Sequence, residues 1–246
     1  MGSNISETMI KHRDFYHQNI KYGFGWNYEN HKSKLNNSNT NREDIRLLGT
    51  YLKNVFKGSV PNDLFNVRSN PRISQFKIQG LKTAFLQSFS KKLIRSGKII
   101  RSDSNSKLPN YAKEVYINFQ KEKKRKPNHI PVLKRILIKD KDSIAIEVPV
   151  WIDDRKTSIT GHIDLIQIQD DIIKIIDYKP KENFLYSIPQ VAMYGVLIRK
   201  VLNINNLKCV SFNRSESWEY DPEILLTDIK DYLIAQKISR KWEKFL

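Results

Sequence analysis

The apolar residues of the first half of the chain fall at helical intervals. Ile45, Leu48, Leu52, Val55 and Phe56 recur three and four apart and predict a helix from about Glu43 to Lys57, closed by Gly58 and Pro61. Leu81, Ala84, Phe85, Phe89 and Leu93 predict a second between Gly80 and Ile94, with Lys82, Lys91, Lys92 and Arg95 on its solvent flank. A third is expected from Tyr111 to Lys124, where the cluster KEKKRKP ends it. Before Glu43 no period emerges. Residues 1–42, which run into the low-complexity stretch HKSKLNNSNTNRED, read as a flexible polar arm.

After Pro131 the pattern changes to β-branched, often alternating runs separated by polar turns. VLKRILIKD, SIAIEVPVWI, TSITGHIDLIQIQ and DIIKIIDYK read as consecutive strands. VAMYGVLIRKVL is helical in character, KCVSFNRSESWEYD suggests a strand pair, and Pro222 to Phe245 a terminal helix. The expected organisation is a polar arm (1–42), a mainly helical basic region (43–130) of the same domain, and an α/β core (131–246).

Charge sharpens this division. Residues 1–140 hold 28 Lys and Arg against 10 Asp and Glu, whereas residues 141–246 hold 15 against 16. A basic half beside an acid-gathering half points to a polyphosphate partner. Tyr16, Phe24, Trp26, Tyr28, Phe56, Phe85, Phe89, Tyr111 and Tyr116 are interleaved with the basic residues, as base stacking requires and as an ordinary core also requires. The single cysteine, Cys209, excludes an internal disulfide and a cysteine-held iron–sulfur cluster within one chain. With no apolar run of membrane-spanning length and no signal-peptide core in MGSNISETMIKHRD, a soluble intracellular protein without membrane partners is expected: cytoplasmic, or in an organelle matrix or nucleoid of a eukaryotic cell.

The acids that carry chemistry lie on two of the predicted strands. Ile163 to Ile168 and Ile172 to Lys179 pair around the turn Gln169–Asp170–Asp171, which brings Asp164 towards Asp177. Side chains alternate along a strand, so Asp177 and Lys179 share a face with Ile173 and Ile175 behind them. Two inward carboxylates cost several kcal/mol unless a cation compensates them. Together with the backbone carbonyl of Tyr178 they are hard oxygen donors suited to Mg²⁺ or Mn²⁺. Such a site can polarise a phosphate and acidify a water, with Lys179 orienting the water or offsetting charge in the transition state.

GHIDLI, then IIDYKP, then Gln190-x-x-x-Tyr194 resembles the RecB-like branch of the PD-(D/E)XK nucleases, which includes Cas4-type proteins and mitochondrial genome-maintenance exonucleases. The resemblance spans roughly Ser143 to Val201. It implies a restriction-endonuclease-like core, a mixed central sheet flanked by helices, and a metal-dependent DNA nuclease, most simply an exonuclease acting on single strands or duplex ends, with RNA the alternative polynucleotide. It makes Asp164 and Asp177 metal ligands, Lys179 the catalytic lysine, and Gln190 and Tyr194 helix residues facing the site. Glu147, in EVPV, stands where similar proteins often carry a further acid. Gly161 fits the small residue that opens the second strand.

Two departures accompany it. Gly49-Thr50-Tyr51-Leu52-Lys53 has lysine where many relatives carry a metal-binding histidine, which would leave Lys53, with Lys91, Lys92 and Arg95, as a phosphate contact. The cluster cysteines of Cas4-type proteins are absent. His162 shares a face with Asp164, though a structural hydrogen bond suits it better, and His129 sits in an expected loop. Ser187-x-x-Gln190 also reads as a capping box, which would engage Gln190 at a helix start. Two other readings remain open: a nuclease fold reduced to DNA binding or assembly, and an aminoglycoside-kinase-like phosphotransferase suggested by His162-Ile163-Asp164. The second lacks the Asn expected where Gln169 stands, and no Gly-rich phosphate loop precedes it.

Overall fold

A computed structural model describes residues 10–36, 43–154, 157–180 and 183–246. Its strands are β1 (Lys11–His17), β2 (Ile20–Trp26), β3 (Ile99–Ser102), β4 (Ser143–Asp154), β5 (Thr157–Gln169), β6 (Ile172–Tyr178), β7 (Leu207–Phe212) and β8 (Ser217–Tyr220). They form one sheet in the order β1-β2-β4-β5-β6-β7-β8-β3. Its helices are α1 (Tyr28–Asn36), α2 (Glu43–Lys57), α3 (Asn62–Asn66), α4 (Thr83–Arg95), α5 (Lys107–Lys123), α6 (His129–Lys139), α7 (Phe184–Leu202) and α8 (Asp228–Ala235). All strand neighbours are antiparallel except β6 and β7, between which α7 makes the crossover that a parallel pair needs. This is the mixed sheet with flanking helices expected of a restriction-endonuclease-like core.

Helices cover both faces, and β6 shows why its sequence is apolar almost throughout. Ile173 and Ile175 point into the core made with α2, α4 and α7, where Leu48, Leu52, Leu86 and Val191 are buried. Ile176 and Tyr178 point the other way, into the core made with α5 and α6 through Ala112, Leu133 and Ile136. A strand covered on both sides has no solvent face to keep polar. Each fully buried aliphatic side chain contributes about 1.5–3 kcal/mol.

Three expectations need correction. Residues 10–36 are not an irregular arm but a β-hairpin followed by α1. Gln18 and Asn19, with φ of 53° and 64°, turn the hairpin without a glycine, and β2 joins the sheet at Gly25↔Ile146 and Trp26↔Ala145. Residues 1–9 and 37–42 of the expected arm lie outside the described residues. VLKRILIKD is helical: Val132, Leu133, Ile136 and Leu137 form a buried stripe of α6, a period that its β-branched composition obscured. The terminal helix is limited to α8, with single 3₁₀ turns at Pro222–Leu225 and Glu243–Phe245.

Candidate active site

The register Leu165↔Ile176 carries Asp164, midway along β5, to the level of Asp177, one residue before the end of β6. Asp177 is 1% exposed and Lys179, just past the strand, is 8% exposed, so both charges lie within the protein. Asp164 Oδ2 accepts the Tyr178 N–H at 2.9 Å, which ties the β5 carboxylate to the β6 backbone. Lys179 Nζ lies 2.7 Å from Asp177 Oδ2 and donates to Gln190 Oε1 at 3.0 Å.

α7 closes the other side. Its N-cap is Asn183, whose side chain accepts the Leu185 N–H, so Ser187 lies inside the helix and does not cap it. Gln190 is therefore available to the site. Its Nε2 donates to Asp177 Oδ1 at 3.2 Å and lies 3.4 Å from the Tyr194 hydroxyl. Because the amide oxygen faces Lys179 and the amide nitrogen faces Asp177, one orientation of the side chain satisfies both charges. Tyr194, one turn on, lies against the β5 backbone at Gly161, where a Cβ would stand 2.5 Å from Tyr194 Cε1. The glycine is required by that close approach, not by its dihedral angles.

β4 and α6 complete the acidic end. Glu147 lies across from Asp164, between the pairs Ile146↔Leu165 and Val148↔Ile163, with φ of 51°. A left-handed glutamate inside a strand is strained by about 1–3 kcal/mol. It is 7% exposed, and burial together with the Asp164 charge pushes its carboxyl up to about 8. Asp177 is pushed up to about 6, by burial first and Asp164 second, against the opposing pull of Lys179. His129, the first residue of α6, brings Nδ1 to 3.3 Å from Asp164 Oδ2. Burial opposes its charge, but Asp164 outweighs burial and the imidazole is held above its ordinary value.

The opposite wall is basic. Lys21 and Tyr22 of β2 line the cleft with Arg72, Ser74 and Lys77. The cavity between the walls is about 500 Å³. Arg72 Nη2 donates to the Tyr22 hydroxyl, and the Tyr22 ring stacks on His162 at 3.6 Å between centroids. His162 Nε2 in turn pairs with His17 Nδ1 at 2.9 Å, and His17 Nε2 with Asn62 Oδ1 at 3.0 Å. Burial pushes both imidazoles down, so this is a neutral hydrogen-bonded support beneath the wall.

Does the donor set suit a divalent cation? Among the described residues no three His, Cys, Asp or Glu side chains converge closely enough to hold one as they stand. The reason is visible in their partners: Asp164 is turned to Tyr178 and His129, and Asp177 to Lys179. Yet Asp177 Oδ2 is buried without a well-directed hydrogen bond, despite Lys179 Nζ at 2.7 Å, and Glu147 keeps its strained place beside Asp164. A buried carboxylate oxygen left short of donors, with two more carboxylates beside it, fits a hard cation that small side-chain rotations would admit.

The structure thus brings Asp164, Asp177, Lys179, Gln190, Tyr194 and Glu147 to one cleft, with the Tyr178 backbone between the carboxylates. Lys53, Lys91, Lys92 and Arg95 are exposed on α2 and α4 and do not line it. His129, in a stretch whose composition suggests a loop before a strand, and Lys21, Tyr22, Arg72 and Lys77 are site residues that the sequence pattern does not reveal. Asn128 before a first-turn Pro131 and the stripe from Val132 to Leu137 were the available signal that a helix begins at His129.

No helix among the described residues is long and apolar enough to cross a membrane. Residues 91–224, over half the chain, match the family model for the PD-(D/E)XK nuclease superfamily. A solved structure described as "Crystal structure of SSO0001" is similar at 18% identity, covering 67% of this chain and 92% of that one, with a TM-score of 0.27. No curated protein matches the chain.

Proposed function

The chain belongs to the PD-(D/E)XK nuclease superfamily, and from that premise we propose that it is a Mg²⁺- or Mn²⁺-dependent deoxyribonuclease of the RecB-like branch that degrades DNA from its ends. One observation carries the reading: Asp177, Lys179 and Gln190 form a closed buried network beside Asp164, open to a cleft whose far wall is basic. Asp164, Asp177, Glu147, His129 and the Tyr178 carbonyl would hold the cation, which would supply charge to polarise the scissile phosphate and to acidify a water.

The remaining work belongs to the protein. Lys179 presents an ammonium to the phosphate from a water-poor site, where its charge is worth more than in bulk solvent. Gln190 fixes that ammonium by accepting from it while donating to Asp177. Glu147, titrating at about 8, can hold a proton at neutral pH until a cation displaces it. Arg72 and Lys77 face the incoming strand across the cleft and offset its phosphates, beside Lys21, whose ammonium is already paired with Asp14 at 2.7 Å.

His129 beside Asp164 supports the catalytic reading over a fold reduced to DNA binding or assembly, since it offers an imidazole to the site where Lys53 does not. Family membership replaces the phosphotransferase reading. The substrate is tested by offering the purified chain linear and covalently closed circular DNA, and RNA of the same sequence, with Mg²⁺ or Mn²⁺. Degradation confined to linear DNA is expected. Equal attack on closed circles would overturn end dependence, and preferential attack on RNA would overturn the choice of DNA.

A further inference from the structure

A second, larger groove lies behind the basic wall of the cleft. It runs between residues 71–80 and the chain end from Lys237 to Phe245, with a volume of about 1080 Å³. Its inner side is apolar and aromatic. Phe76 and Trp242 are buried at centroids 6.3 Å apart, and the half-buried Phe245 ring stacks on Phe76 at 5.6 Å. Its rim is cationic, with Lys77, Lys237, Arg240, Lys241 and Lys244 against the single acid Glu243. That acid is already engaged, 2.8 Å from Arg240 Nη2 and 3.4 Å from Lys230 Nζ.

The groove and the catalytic cleft share one side chain. Arg72 and Ser74 line the cleft, Gln75 and Phe76 line the groove, and Lys77 lines both. Lys77 is therefore the point at which a strand leaving the cleft past Arg72 would meet the groove. The volume exceeds the roughly 300–1,000 Å³ of ordinary small-molecule sites. Phe76 and Trp242 are buried beneath the apolar floor, and the half-buried Phe245 is the ring left to meet a base; a cationic rim around an accessible ring is an arrangement that single strands use, phosphates on the cations and a base against the ring. Compact anions would have no use for the floor, and an apolar peptide none for the rim.

We propose that this groove binds the single-stranded polynucleotide that continues beyond the scissile phosphate, so that Lys77 joins a catalytic and a holding site on one track. The proposal deepens the nuclease reading and rests on it for the direction of the strand, but binding to the groove is measurable without any cleavage.

The test uses the full chain in chelator, with fluorescein-labelled oligothymidylate and oligouridylate of about 6 and about 20 nucleotides, lengths that bracket common single-strand site sizes. Wild type should bind the longer probe at least about tenfold tighter than the shorter, and Lys241→Ala/Lys244→Ala should remove that advantage while leaving the short probe unchanged. Loss of two phosphate contacts should also lower the slope of log affinity against log salt by about 1.4 for the long probe. Both lysines are exposed, so folding should be unaffected; a matching thermal transition checks this. Equal affinity of variant and wild type for the long probe, or no length preference in wild type, would overturn the proposal. If wild type cuts nothing with any divalent metal while long-probe binding still depends on Lys241 and Lys244, the groove stands and the nuclease reading falls.

Discussion

Glu147→Gln isolates the most unusual group in the site. The carboxyl is buried beside Asp164 and titrates at about 8 in the fold, against 4.5 ordinarily. Between those values the folded chain holds a proton that the unfolded chain has released, so stability falls as pH rises through the window. The slope is at most about 1.4 kcal/mol per pH unit, or about 4–5 kcal/mol in all before relaxation of the site reduces it. Glutamine keeps the shape, the neutral hydrogen-bonding capacity and the φ of 51°, but cannot ionise. Urea denaturation in chelator at several pH values from 5 to 9 should therefore show wild type losing ground to Glu147→Gln as pH rises. Asp177 and His129 titrate nearby, which makes the difference between the two proteins the quantity to read. Divalent cation should reverse the order at high pH, because it binds the ionised form. Parallel pH–stability curves for the two proteins would refute the reasoning.

Further outcomes follow from contacts in the site and beyond it. His129→Ala should weaken Mn²⁺ binding, read by calorimetry, by about 10–100-fold, whereas Lys53→Ala, on an exposed face of α2, should leave it unchanged. Gly161→Ala places a methyl 2.5 Å from Tyr194 Cε1 and 3.2 Å from Ile73, and should cost about 1–3 kcal/mol in urea denaturation. Lys107→Met leaves Asp140, fully buried and 2.5 Å from Lys107 Nζ, with one cation fewer. Since Lys107 is half exposed, a loss of about 1–2 kcal/mol is expected, measured the same way.

The strands that carry the candidate site were legible in the sequence because strand alternation and hairpin pairing leave little freedom. Once Ile173 and Ile175 are inward, Asp177 must be, and a turn at Asp170–Asp171 sets Asp164 opposite it. Gln190 and Tyr194 came from the resemblance, with the i, i+4 spacing placing them on one helix face, although the N-terminal boundary misled: Asn183 caps α7, so Ser187 does not. What stayed hidden depends on tertiary packing. α6 looks like a strand by composition, and only its buried stripe against β4 and β5 makes it a helix that delivers His129. The β1–β2 hairpin turns on Gln18 and Asn19 with no glycine to announce it, and its place in the sheet depends on Gly25 lying flat against Ile146, where a Cβ would stand 3.1 Å from Cγ1. The basic wall formed by Lys21, Tyr22, Arg72 and Lys77 was invisible for the same reason.

The proposed nuclease activity rests above all on Asp177 and Lys179 forming a metal-dependent phosphodiester-cleaving site. Its most direct test is single-turnover cleavage of end-labelled single- and double-stranded DNA in Mg²⁺ or Mn²⁺ by wild type, Asp177→Asn and Lys179→Ala, with DNA affinity measured in parallel. Chelator should abolish cleavage and each variant should slow it by at least about 10²-fold, with affinity within a few-fold of wild type. Cleavage at equal rates by all three proteins, or undiminished by chelator, would contradict the proposed activity.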